Sequence, residues 1–150
     1  MFYQAPRRVA IINSRRIPFC RANTAYTHQS NQDMMTSALN GLVDRFGLKG
    51  QHIDEVVGGA VVTHSRDYNL TRESVLGTRL APSTPGVTLQ QACGTSLQAA
   101  LGIGAKIAAG EIESGIATGS DTTSDAPIVF SKKFSKRLIE LGQKKKTLDK

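Results

Sequence analysis

Four short apolar runs, set apart by segments of helical period, constrain this chain more than any other feature. They are RVAIIN (8–13), EVVGGAVV (55–62), GVTLQQ (86–91) and GIATGS (115–120). Runs of this length, apolar at successive positions, are expected of strands buried on both faces of a sheet. Between them the period changes. Ser30 with Asp33 three positions on forms a capping-box-like start; Met34, Met35, Ala38, Leu39, Leu42, Val43 and Phe46 then share one side, and Gly47 is a stop. A second helical pattern over about 71–80 presents Val75, Leu76 and Leu80 and ends before Pro82. A third opens at Cys93 and reaches Ala109. Strand and helix in strict alternation predict a parallel α/β sheet with right-handed crossovers. From Asp121 onward the pattern breaks into TTSDAP and a basic tail, so a boundary is expected there.

Size and composition fit one globular domain: 150 residues, 39% hydrophobic, are enough to bury a core. Cys20 and Cys93, 73 positions apart, belong to no CxxC pair or Cys/His cluster, which argues against structural zinc or a disulfide framework. The apolar runs are interrupted well before the roughly 18 residues of a membrane span, so a soluble chain without such a span is expected. Four arginines but no apolar h-region occupy the first twenty residues, and a strand beginning at Arg8 leaves no room for a cleaved presequence. The expected location is intracellular and reducing: cytoplasmic, or mitochondrial or peroxisomal in a eukaryote.

The net charge of +7 is unevenly spread. Residues 1–30 hold five arginines and no acid, residues 31–130 six basic and ten acidic groups, and residues 131–150 eight basic and two acidic. A nucleic-acid module spreads its charge over a folded face with aromatics to stack on bases; this chain has no Trp and scattered Tyr and Phe, so nucleic acid is not expected as a partner. The KKFSKRLIELGQKKKTLDK tail reads instead as a solvated amphipathic segment, open to contact with a phosphorylated small molecule.

The third helical pattern carries the chemistry. Only Gln98 and Lys106 are long and polar between Cys93 and Ala109, and a helix so small and apolar all round is expected to be buried. Its N-terminus would then turn unpaired N–H groups and the positive end of the dipole toward Cys93, a setting that favours a thiolate and stabilises an anion. Gly94, lacking a Cβ, lets a carbonyl approach the backbone. By these features alone Cys93 is equally a reactive thiol or a small core residue, whereas Cys20 in RIPFC is expected to be core. Gly102 and Gly104 fail as a GxGxxG loop because they lie inside a helix and lack the third glycine. His28, His52 and His64 have no partner pattern and are expected to be surface or satisfied histidines.

RRVAIINSRRIPFC (7–20), LQQACGTSLQAA (89–100) and ATGSDTTSDAP (117–127) together resemble successive landmarks of the N-terminal half-domain of the thiolases, in particular the 3-ketoacyl-CoA thiolases of fatty-acid β-oxidation. Ketoacyl synthases and hydroxymethylglutaryl-CoA synthases are similar, but the R-x-P-F turn after the first strand favours thiolase. The resemblance implies a mixed, mostly parallel α/β half-domain with helices on both faces, here truncated after the fourth strand. It implies an incomplete half-domain over 1–127, the start of a basic loop domain over 128–150, and no second half-domain. It also implies an acyltransferase in which Cys93 is the nucleophile, carries the acyl group as a thioester, and lends its backbone N–H to an oxyanion hole. Acyl-CoA and CoA would be substrates, with no cofactor and no metal. A homo-oligomer is implied for the full-length protein, with a β-oxidation subunit as a further partner. The family's histidine base and second cysteine have no match here, so the 150 residues alone are expected to be inactive. The alternative is a non-enzymatic scaffold or partner-binding fragment.

Overall fold

A computed structural model describes residues 7–148, the last helix by its backbone alone beyond residue 143. The elements run α1 (Asn31–Phe46), β1 (Glu55–Gly58), α2 (Leu70–Leu76), β2 (Gly86–Thr88), α3 (Thr95–Ala109), β3 (Gly115–Ala117) and α4 (Lys132–Leu148). The strands form one sheet in the order β2-β1-β3, with both pairings parallel. Val57 sits opposite Val87 on one side and Ala117 on the other. The α/β class read from the sequence is the observed one.

β1 is central and fully buried. Its neighbouring side chains point to opposite faces. Val56 joins Met35, Leu39 and Val43 of α1 and Leu70 and Val75 of α2 in the larger core, while Val57 packs with Ala99 and Ile103 of α3. Helices therefore cover both faces. Glu55, also buried, is held by Lys106 of α3, whose Nζ lies 2.7 and 2.8 Å from its two carboxylate oxygens.

The first helix starts and stops as its sequence dictates. Ser30 Oγ accepts from the Asp33 N–H while the Asp33 carboxylate accepts from the Ser30 N–H, and Gly47 ends the helix in the left-handed conformation. The Ser30 N–H, and after it the Ser30 hydroxyl donating at 2.7 Å, hold the Asp33 carboxyl below its ordinary value.

Three expectations need correction. No strand forms over 8–13. The sheet of the described residues is β2-β1-β3, and residues 8–13 pair with neither of its outer strands. The run crosses the end of α3 instead, with the Arg7 N–H donating to the Ala108 carbonyl, and Ile11 and Ile12 are exposed. An apolar extended sequence encodes a wish for pairing, but the partner must be supplied from elsewhere. The run expected as a fourth strand is thus the third observed. Second, α3 begins at Thr95 rather than Cys93, and it is buried on one side only: Thr95, Ala99 and Ile103 are inside, whereas Leu97 and Leu101 are exposed. Third, α2 is shorter than its pattern, because Gly77 ends it; Leu80 is still buried, but in the loop beyond.

Two alanine scans of glycine should diverge. A Cβ on Gly86 would lie 2.7 Å from the Arg72 Cα, whereas one on Gly102 meets nothing within 4 Å. Gly86→Ala is expected to cost about 1–3 kcal/mol, and Gly102→Ala to add up to about 1 kcal/mol through helix propensity, both read from urea unfolding.

Removing the cap with Ser30→Ala is expected to cost about 1 kcal/mol. Because the folded Asp33 carboxyl titrates below its unfolded value of 3.8, its contribution is present above that pH and fades as the pH falls through the folded value. Acid titration of stability should therefore be flatter in Asp33→Asn than in the parent.

Candidate active site around Cys93

The C-terminal ends of the three parallel strands open onto one cavity of about 770 Å³, and Cys93 lines it. Parallel α/β sheets place binding crevices at this edge. The loop after β2 brings Cys93 there by a tight turn. Thr95 Oγ1 donates to the Ala92 carbonyl at 2.8 Å and accepts from the Gln91 N–H at 2.9 Å, and the Gly94 N–H donates to the Gln91 carbonyl. Within this turn Ala92 is left-handed, at φ 45°. A left-handed alanine is strained, and such strain gathers at functional sites where surrounding bonds over-determine it.

Two glycines let the turn sit this close to the sheet. A Cβ on Gly59, just past β1, would lie 2.0 Å from the Leu89 carbonyl oxygen and 3.0 Å from Thr95 Cγ2; one on Gly119, just past β3, would lie 2.2 Å from Ser96 Oγ. Gly94 is the N-cap of α3 and makes no side-chain capping bond. Thr95 and Ser96, the first turn of the helix, themselves line the cavity, so the uncapped helix end lies at its wall. Cys93 is exposed, one residue outside the cap. Of the two readings that the sequence left open for Cys93, space-filling core and accessible thiol, its exposure agrees with the second.

Cys20 is exposed too and lines the same cavity, which corrects its expected place in the core. The turn after residue 13 carries it there with Arg15, Arg16 and Arg21, all on the cavity wall. Arg16 is stacked on the Phe19 ring, 4.0 Å from its centroid. Tyr26 stands beside Cys20; desolvation first, then a hydrogen bond and an electrostatic contact with that sulfur, push its phenol above the ordinary value. Asp121 also lines the wall, but its two oxygens are engaged by the N–H groups of Val61 and Val62 at 2.7 and 2.8 Å. Sequence reasoning singled out none of these residues for the site, although RIPFC and GSDTTSD both lie in the quoted landmarks.

None of the three histidines lines this cavity. His52 Nδ1 meets Ser83 Oγ at 3.0 Å, and His64 Nδ1 accepts from the Arg66 N–H. Among the described residues no cluster of three or more His, Cys, Asp or Glu could hold a metal.

Comparison with known proteins agrees with this geometry. The family described as thiolase, N-terminal domain, matches residues 9–149. A 3-ketoacyl-CoA thiolase of Photorhabdus laumondii is 38% identical over 138 residues, covering 92% of this chain and 32% of that protein. Another, of Shewanella denitrificans, is 38% identical over 136 residues, covering 91% and 31%. The crystal structure of the Bacillus anthracis acetyl-CoA acetyltransferase superposes with a TM-score of 0.68 at 23% identity, covering 73% of this chain and 28% of that one. The chain belongs to the thiolase family, as a match to its N-terminal domain. It spans about a third of the length of the curated relatives it matches.

Ala92→Gly should test the strained turn. Glycine normally loosens a loop, but here it relieves a left-handed alanine, so the variant is expected to be neutral or more stable by up to about 1 kcal/mol. A clear loss of thermal stability would show that the left-handed turn is not under strain.

Proposed function

We propose that this chain supplies the nucleophilic half of an acyl-CoA:CoA C-acyltransferase, a thiolase, with Cys93 as the residue acylated. One observation carries the reading: an exposed thiol lies on a held, strained turn at an uncapped helix end, inside a cavity where the strands of a thiolase-family sheet terminate. The Cys93 thiolate attacks the 3-keto carbon of a 3-ketoacyl-CoA. The C2–C3 bond breaks, its electron pair passes to C2, and acetyl-CoA leaves as an enolate that takes up a proton. The thiolate of a second CoA attacks the carbonyl of the Cys93 thioester; the acyl group passes to the CoA sulfur as a shortened acyl-CoA, and the Cys93 thiolate is released. Charge developing on the attacked oxygen is stabilised at the helix end, with the Cys93 N–H as the oxyanion donor.

The kinship with 3-ketoacyl-CoA thiolases supports the substrate class. On this reading, residues 1–127 are the half-domain and 128–150 the start of a loop region. The substrates are acyl-CoA and CoA, and no cofactor is needed. The complete enzyme is a homo-oligomer of the cytoplasm or of an organelle that degrades fatty acids, and it meets a partner subunit of β-oxidation. The proton transfers require acid/base groups worth about 10²- to 10⁴-fold each, and no histidine of this chain reaches the cavity.

The chain incubated with acetyl-CoA is expected to acquire a hydroxylamine-labile acetyl group on the peptide containing Cys93, and Cys93→Ser to abolish it. Acetylation mapped to Cys20 instead would sink the assignment. Sustained thiolysis of acetoacetyl-CoA by the 150 residues is not expected; finding it would mean that His28, His52 or His64 serves as the base.

A further inference from the structure

Ala92, the left-handed residue just before Cys93, is gripped at both of its backbone polar groups. Its carbonyl accepts from Thr95, from Oγ1 at 2.8 Å and from the N–H at 3.2 Å. Its N–H donates to Gln90 Oε1 at 3.0 Å. The nitrogen of the same side-chain amide reaches the loop after β1, where Gln90 Nε2 donates to the Val61 carbonyl at 3.3 Å. The Val61 N–H in turn donates to the Asp121 carboxylate in the loop after β3. One glutamine side chain thus links the turn that carries Cys93 to the loops that follow both of the other strands. Gln90 itself does not line the cavity.

We propose that Gln90 is a positioning residue for Cys93. The inference rests on the reading of Cys93 as the acylated group and names the side chain that sets where its sulfur stands. A left-handed alanine is disfavoured because its Cβ crowds the following carbonyl oxygen, so Ala92 keeps this conformation only while its neighbours hold it. Its two backbone angles are set by the peptide planes on either side. Thr95 holds the second plane by the Ala92 carbonyl. The first is held within the turn by the Gly94 N–H on the Gln91 carbonyl, and Gln90 ties it to the loop after β1. The Cys93 N–H lies in the second plane, so the same pair of grips aims both the thiol and the backbone donor assigned to the oxyanion. Gln90 reaches neither the sulfur nor the cavity; it acts through Ala92.

Gln90→Met keeps the length of the side chain and removes both bonds. In the full chain it is expected to speed hydrogen exchange of the Ala92 amide by about three- to tenfold, and to slow acetylation of Cys93 by acetyl-CoA by a similar factor, the weight of one ordinary hydrogen bond. Gln90→Ala should do the same. The urea midpoint should stay close to that of the parent in both, since Gln90 is exposed and in no core. In an Ala92→Gly background the loss on Gln90→Met should shrink to less than about twofold, because glycine takes the left-handed conformation without a penalty; a merely structural role for Gln90 gives no such rescue. Unchanged acetylation in both Gln90 variants, with or without faster exchange, would overturn the proposal, and so would an equal loss with and without Ala92→Gly. No acetyl uptake by the parent, with the exchange effect present, would instead remove the acyl-transfer reading and leave Gln90 as the clamp of the turn.

Discussion

Everything at the candidate site depends on how near the loop after β2 can come to the end of β1. Gly59 sets that distance: the Leu89 carbonyl oxygen lies where its Cβ would be. The Leu89 N–H donates to the Gly58 carbonyl and the Ser120 N–H to the Gly59 carbonyl, so both neighbouring segments are stitched to the glycine pair beyond the formal strands. With that spacing fixed, Thr95 can close the turn that carries Ala92 and Cys93. The position of Cys93 is therefore a property of the sheet's centre, transmitted through backbone contacts that no side chain can adjust.

Local signals were legible where local physics decides the outcome. The Ser30–Asp33 box and the Gly47 stop act within one turn of chain, and α1 begins and ends where they say. The stripe of α1 was legible too, with Met34, Met35, Leu39 and Val43 buried as its period requires, while Phe46 at its end is 39% exposed. The amphipathic tail was read for the same reason, and it folds as α4. What failed depends on neighbours. RVAIIN has a strand's composition, yet a strand exists only when another offers it a ladder. The all-round apolar character of α3 foretold burial on every side, but only the side facing Val57 is covered by these residues.

The site was half legible. Cys93 could be singled out because a strand-to-helix junction is a sequence feature. Its surroundings could not: Arg15, Arg21, Tyr26 and Cys20 reach the cavity from about 70 positions away along an irregular segment whose course has no period to read. Nor does any residue preference announce the left-handed Ala92, since alanine is chosen there against its own backbone bias. The cavity these groups form is rich in arginine, and its one aspartate has both oxygens engaged by backbone donors. An anionic guest meets little opposition there.

The sheet order has a kinetic side. Joining β1 to β2 closes a loop from Val56 to Gly86, and joining β1 to β3 closes one from Glu55 to Gly115, twice as long. No hairpin shortens either search, as is true of any all-parallel sheet. The half built from α1, β1, α2 and β2 can assemble before residues beyond β2 have left the ribosome, whereas the α3 face must wait for β3. Cys93, seated between the two halves, therefore finds its place only once β3 has emerged, and until then a nascent chain holds that thiol outside a finished cavity.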